Sequence, residues 1–158
     1  MRELESIHGN KIEFVDGFKE LRCNSGVKLD SLLKKKLKII SYIDDIPCSP
    51  CAIKKIKIWQ SEIRAIDSDV PYIIVLNSDS RSFVDMMDSI SLSYPLMYYD
   101  SKIFGIKNKL EGLLARNRTF LLDKDDKVIV IGEPFGMKAM SKLYKKYIDS
   151  LLYNNLDY

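Results

Sequence analysis

Only three cysteines occur in the 158 residues, at positions 23, 48 and 51. That is too few for a disulfide-scaffolded secreted module. The core must come from apolar burial, and a hydrophobic fraction of 46% is enough for one. There is a single histidine, His8, isolated near the terminus and read as solvated. A zinc centre around any cysteine pair would need two further ligands, and only Cys23 and His8 remain to supply them, so no metal is expected. No apolar run approaches the roughly 20 residues of a membrane span. The opening Met1-Arg2-Glu3-Leu4-Glu5-Ser6 lacks the apolar core of a signal peptide. This leaves two origins open: a cytoplasmic chain, or a mature domain with its leader removed and Met1 added. Neither sign of charge dominates, with 25 basic and 22 acidic residues and a formal net charge of +3. A nucleic-acid partner is therefore not implied. Lys34-Lys35-Lys36 and Lys54-Lys55 are short clusters that read as solvated faces.

The chemistry that is present centres on Cys48-Ser49-Pro50-Cys51. It follows the apolar, β-branched run at 37–43, which reads as a buried strand. It precedes a stretch in which Ile53, Ile56, Trp59 or Gln60, Ile63 and Ile66 recur at helical spacing, ended by Asp67, Ser68, Asp69 and Pro71. A dithiol at a strand-to-helix junction reads as a redox pair. Unpaired N–H groups and the positive end of the helix dipole favour thiolate over thiol there. Cys48 at the exposed lip is the expected nucleophile. Cys51, one turn into the helix, is the expected resolving thiol. Pro50 fits the first helical turn, where its missing N–H costs little.

The remaining elements follow from patterning. The runs at 12–15 and 18–21 flank Asp16-Gly17, a hairpin signal, so an N-terminal β-hairpin or pair of short strands is expected after a loose arm at 1–10. Cys23 reads as a half-buried thiol at the strand end. Residues 27–33 predict a short helix, and 72–76 a second buried strand. Ser80 is a good cap for a helix carrying Phe83, Met86, Met87 and Ile90. Strand 94–99 carries Pro95 as its second residue, as an edge or early position permits. Ser101 caps a short helix with Ile103 and Leu110. Two strands, 119–122 and 127–131, flank a polar four-residue turn and read as an antiparallel hairpin. Met140, Leu143, Tyr147 and Leu151 mark the face of a last helix. Alternating βα units, then a hairpin and a helix, give an α/β fold: a central mixed β-sheet flanked by helices, in one domain over 11–153.

This order resembles the thioredoxin-like superfamily, within it the TlpA-like and AhpC/TSA-type redoxin branch. The residues that carry the likeness are the strand before Cys48, the Cys48-Ser49-Pro50-Cys51 motif, and Arg118-Thr119-Phe120-Leu121-Leu122-Asp123-Lys124-Asp125-Asp126-Lys127-Val128. The opening Gly9-Asn10-Lys11-Ile12-Glu13-Phe14 is similar to the start of thioredoxin-like lipoproteins of Bacteroidetes-type bacteria. The resemblance implies a thiol-disulfide oxidoreductase of the bacterial cell envelope, with the cytoplasm as the alternative. It implies no bound cofactor, a monomer, and protein thiols or disulfides plus an upstream electron donor as partners. Pro47, Ser49, Pro50, Arg118 and Thr119 would line the substrate groove.

The family pattern is broken in places. Arg118 stands where thioredoxins carry a cis-proline before the threonine, and a non-proline cis bond costs about 3 kcal/mol. Beside Cys48 this arginine would lower the thiol pKa or bind an acidic partner; otherwise it is a surface side chain. Tyr42 stands where thioredoxins carry a buried aspartate six residues before the first cysteine, and it is a poor base at neutral pH. Pro47 replaces the usual tryptophan. The peroxiredoxin pattern Pro-x-x-x-Thr/Ser-x-x-Cys fits neither cysteine: Asp45 and Ser41 precede Cys48 at those offsets, Cys48 and Asp44 precede Cys51. A peroxidase is not expected. Two alternatives to an oxidoreductase remain: a binding module with vestigial cysteines, and metal handling by the dithiol with Cys23.

Overall fold

The computed structural model describes residues 5–21, 26–44, 49–77, 92–99 and 101–153, the side chains of 49–53 excepted. The elements are β1 (Lys19–Leu21), α1 (Leu29–Leu33), β2 (Lys38–Ile43), α2 (Ser49–Ile66), β3 (Tyr72–Asn77), β4 (Leu96–Tyr99), α3 (Ile103–Lys107), a 3₁₀ turn (Ala115–Asn117), β5 (Thr119–Leu122), β6 (Val128–Ile131) and α4 (Lys138–Ile148), which runs into a π-turn (Asp149–Tyr153). The expected helix carrying Phe83, Met86, Met87 and Ile90 lies outside the described residues, as do Cys23, Pro47 and Cys48.

Six strands form one mixed sheet in the order β1-β4-β3-β2-β5-β6. β2, β3 and β4 run parallel; β1, β5 and β6 join antiparallel. The central strands are continuous apolar runs because both faces are covered. On one face Ile56 and Ile63 of α2 and Tyr144 and Ile148 of α4 pack on Ile39, Tyr72, Ile74 and Leu121. On the other, Leu29, Leu32, Phe104 and Leu110 pack on Ile40, Tyr42, Val75 and Phe120. Burying each such side chain contributes about 1.5–3 kcal/mol, so both layers are needed.

The N-terminal hairpin does not form. β1 pairs with β4 (Lys19↔Tyr98 to Leu21↔Leu96), whereas Lys11 bridges Lys127 at the opposite edge of the sheet. Gly9 N–H donates to Val128 O (2.9 Å), and Val128 N–H to Asn10 O (3.0 Å). Between these edges the chain crosses the α3 face. Phe14 meets Phe104, Phe18 meets Tyr99, and Tyr99 donates to Val15 O at 2.6 Å. The physical reason is competition. An isolated two-stranded hairpin is marginal in water, while the open edges of β4 and β6 offer unpaired backbone groups and an apolar face to cover.

The C-terminal helix is also rotated from its expected face. Tyr144 and Ile148 are its buried residues, Met140, Tyr147 and Leu151 flank them, and Leu143 is exposed. Lys38, which sits within the apolar run of β2, is 1% exposed and ion-pairs with Asp126 of the β5–β6 turn.

Candidate active site

The central strand β2 delivers the chain to the dithiol. It ends at Ile43, and α2 starts at Ser49, so Pro50 and Cys51 occupy the first turn of an 18-residue helix. There Pro50 forgoes no helical hydrogen bond, and Cys51 shares the positive helix end. α2 is held at mid-length. Gln60, buried among apolar residues, donates from Nε2 to Tyr94 O (3.2 Å) and accepts Ser93 N–H at Oε1 (2.9 Å). Trp59 stacks on Phe135, centroids 4.8 Å apart and planes 9° apart.

β5 brings Arg118 and Thr119 to the same end of the sheet. Ser41 pairs with Thr119, and Tyr42 N–H donates to Arg118 O at 2.9 Å. Thr119 turns inward and is 2% exposed. Its hydroxyl lies 2.7 Å from Ser41 Oγ, which accepts the Tyr72 hydroxyl at 2.7 Å. Its carbonyl accepts Gly132 N–H at 2.9 Å.

Arg118 is held within the protein. One guanidinium nitrogen ion-pairs with Asp44, Nε donates to Leu113 O (2.8 Å) and Nη2 to Glu111 O (3.2 Å). The guanidinium lies 5.8 Å from the centroid of the Tyr42 ring, a cation–π distance. No cis peptide bond occurs among the described residues, so the bond before Arg118 is trans.

Tyr42 completes the group. Its hydroxyl donates to Glu111 Oε1 at 2.7 Å, and Lys102 stands 3.8 Å from the other carboxylate oxygen. Burial pushes the Tyr42 pKa far above its ordinary value, and the hydrogen bond to Glu111 adds to this. Tyr42 is a neutral donor at physiological pH. It also belongs to the cluster under α3, on the face opposite α2. Gly105 makes room for the pair: a methyl group there would overlap both Glu111 Oε1 and the Tyr42 hydroxyl.

Two acidic residues at this end escaped sequence reasoning. Glu111 is invisible without the Tyr42 contact. Glu133 follows β6 directly, and the β5–β6 hairpin pattern was a usable signal, because pairing returns residue 133 to the end that carries Arg118. Glu133 N–H donates to Arg116 O at 2.9 Å. Burial raises the Glu133 carboxyl pKa, with Lys55 of α2 acting in the opposite direction. His8 is exposed, and no three His, Cys, Asp or Glu side chains converge as a metal site among the described residues.

The sheet order, the helices on both faces and the helix start after the central strand can be set beside known proteins. No protein-family model and no curated protein matches the chain. Solved structures do match in shape. The reduced N-terminal domain of PilB from Neisseria meningitidis superposes with TM-score 0.57 at 15% identity, covering 87% of this chain and 94% of that one. The pneumococcal exposed lipoprotein thioredoxin of Streptococcus pneumoniae gives 0.53 at 15% identity, covering 83% and 99%. Peroxidoxin BcpB of Mycobacterium tuberculosis gives 0.53 at 18%, covering 91% and 97%. The fold is thioredoxin-like. In this thioredoxin-like chain, the position expected of a cis-proline is a trans-linked arginine that holds loop carbonyls.

Proposed function

We propose that the chain is a thiol-disulfide oxidoreductase of the TlpA-like redoxin branch, with Cys48 as nucleophile and Cys51 as resolving thiol. The observation that carries this reading is the placement of Cys51 in the first turn of α2, directly after the central strand of a thioredoxin-like sheet. Cys48 thiolate attacks a protein disulfide and forms a mixed disulfide. Cys51 then displaces the bound substrate, leaving a Cys48–Cys51 disulfide and two substrate thiols. An upstream donor returns the pair to the dithiol. Pro47, Ser49 and Pro50 would form the rim a substrate meets. Arg118 and Thr119 would support it from below. The exposed lipoprotein thioredoxin among the shape relatives supports a cell-envelope location. A peroxidase is disfavoured although a peroxidoxin shares the fold, because neither cysteine follows the Pro-x-x-x-Thr/Ser pattern.

The test is trapping. Cys51→Ala retains the attacker and lacks the resolver, and it should accumulate mixed disulfides that reductant releases. Cys48→Ala should trap none. If neither variant forms an adduct and the dithiol does not cycle with a redox buffer, the reading is lost. A binding module is the second reading, favoured by Tyr42 in the acid's place and by the engagement of Arg118 with Asp44 and the loop carbonyls. Partner binding that survives replacement of both cysteines by serine would support it.

A further inference from the structure

The outer face of α4 takes no part in the dithiol reading. Its inner face packs on the sheet through Tyr144 and Ile148. Lys138, Lys142, Lys145 and Lys146 are all exposed. At 3.6 residues per turn they fall within a sector about 100° wide, on the side away from the buried residues. Two shallow hollows in the surface show that the four are neighbours. Lys142, Lys145 and Lys146 border one of about 500 Å³, and Lys138 and Lys142 border the next, of about 510 Å³. From Lys138 to Lys146 the helix rises about 12 Å, comparable with the Debye length of about 8–10 Å, so the four charges act as one patch.

Little on the protein neutralises this patch. Lys145 pairs with Asp149 at 3.2 Å. Lys138, Lys142 and Lys146 form no ion pair with another described residue. Glu62 of α2 stands at the wall of the second hollow, but its Oε2 is buried. Four lysines less Asp149 leave +3, which equals the formal net charge of the whole chain. The positive excess is therefore concentrated on one helix face. Helix stability does not account for it. Lys138 opens α4 with no acidic residue in the first turn, and a cation there opposes the helix dipole.

The make-up of the face selects its partner. Cores of protein interfaces are poor in lysine and rely on aromatic or arginine anchors, and this sector has neither. Arginine and stacking aromatics also mark nucleic-acid sites. A fluid anionic bilayer needs no shape match. It asks only for exposed positive charge within a Debye length, and each lysine there adds to the attraction. We propose that the lysine face of α4 docks the protein on anionic phospholipid. The docking is independent of the dithiol reading: it needs neither cysteine.

The test is sedimentation of the full chain with sucrose-loaded vesicles. One set is phosphatidylcholine alone; the other contains about one-third phosphatidylglycerol. The parent should pellet with the anionic vesicles at low salt, and should stay in solution with neutral vesicles or at high salt. Lys142→Gln should weaken the partition roughly fivefold, and Lys142→Gln with Lys146→Gln roughly 25-fold. Lys28→Gln with Lys34→Gln removes the same charge beside α1, on the opposite face of the sheet, and should bind like the parent. Matching melting temperatures show that all variants are folded. No binding of the parent to the anionic vesicles overturns the proposal, and so does equal weakening by the α1 pair, which would make net charge alone responsible. Retention on immobilised poly-L-glutamate without vesicle binding also overturns it, in favour of an acidic protein partner.

Discussion

The guanidinium of Arg118 grips the carboxylate of Asp44, the first residue after β2 on the path to the dithiol. The same guanidinium holds the carbonyls of Leu113 and Glu111, so one side chain ties the loop before β5 to the strand end that precedes α2. Its side chain is 12% exposed and that of Asp44 22%. Partly buried ion pairs whose guanidinium is also held by carbonyls contribute more than surface pairs. Arg118→Met should destabilise the fold by about 3 kcal/mol, because two carbonyls and a carboxylate lose a partner together. Arg118→Lys should recover only part, since an ammonium cannot reproduce the fork. Urea unfolding reads both. A double-mutant cycle with Asp44→Asn should give a coupling of about 1 kcal/mol or more; additive losses would show that the pair does not act as a unit.

Gly105→Ala should be costly although alanine favours helices. The added methyl meets the Tyr42 hydroxyl and the Glu111 carboxylate inside a filled space. Overpacking of this kind costs about 1–3 kcal/mol, and for a chain of this size each kcal/mol lowers Tm by roughly 2–4 °C. Tyr42→Phe in the same chain removes one of the obstructing atoms. The double variant should therefore melt above the value expected from adding the two losses.

Central strands and the α2 period were legible in the sequence because burial on both faces leaves continuous apolar runs, and burial on one side leaves a 3.6-residue period. The β5–β6 hairpin was legible because Asp123 caps its own turn, its Oδ1 accepting the N–H groups of Asp125 and Lys127 at 2.8 and 2.9 Å. Asp16-Gly17 carries a similar local signal, yet there the two distant sheet edges won, and local chemistry cannot report an edge. The Tyr42–Glu111 and Arg118–Asp44 contacts were hidden for the same reason. They depend on β2 lying antiparallel to β5, and Arg118 read alone has no preferred partner. For the dithiol, the order of strand, motif and helix was legible, while Cys48 itself lies outside the described residues.

Lys38 and Asp126 give a third prediction. Lys38 is 1% exposed, and Asp126 ends the turn at φ 63°, a conformation asparagine tolerates well. Asp126→Asn therefore removes charge without straining the backbone. It leaves a buried ammonium with no counter-charge, and the expected loss is about 3 kcal/mol. Lys38→Met in the Asp126→Asn background should recover much of it, because the uncompensated charge is then gone. Denaturant midpoints of the three variants check this.

Alkaline behaviour should be dominated by buried phenols. Burial raises the pKa of Tyr42, Tyr72 and Tyr144 well above the ordinary value of 10.0, and that of Tyr99 to about 12, with Asp16 adding to the shift. A raised folded-state pKa contributes stability that is fully present below the unfolded value and lost as pH rises through the folded one. Stability should therefore fall as pH climbs past about 10. Phenolate absorbance should show these four lagging behind exposed tyrosines and appearing together as the fold is lost. Smooth titration of all nine tyrosines near the ordinary value, with the fold intact, would contradict the burial.

Glu133 makes an opposite kind of statement about neutral pH. Burial raises its carboxyl pKa above the ordinary 4.5 even with Lys55 acting against the shift. The stability tied to the protonated carboxyl is complete below that ordinary value and lost as pH rises through the folded one. Ionised Glu133 thus weighs on the fold at neutral pH. Glu133→Gln should match the parent in acid and exceed it in unfolding free energy at neutral pH, the gap opening over the interval between the two pKa values. Unfolding curves of parent and variant across that interval supply the check. A constant difference between them would place no titrating carboxyl at this position.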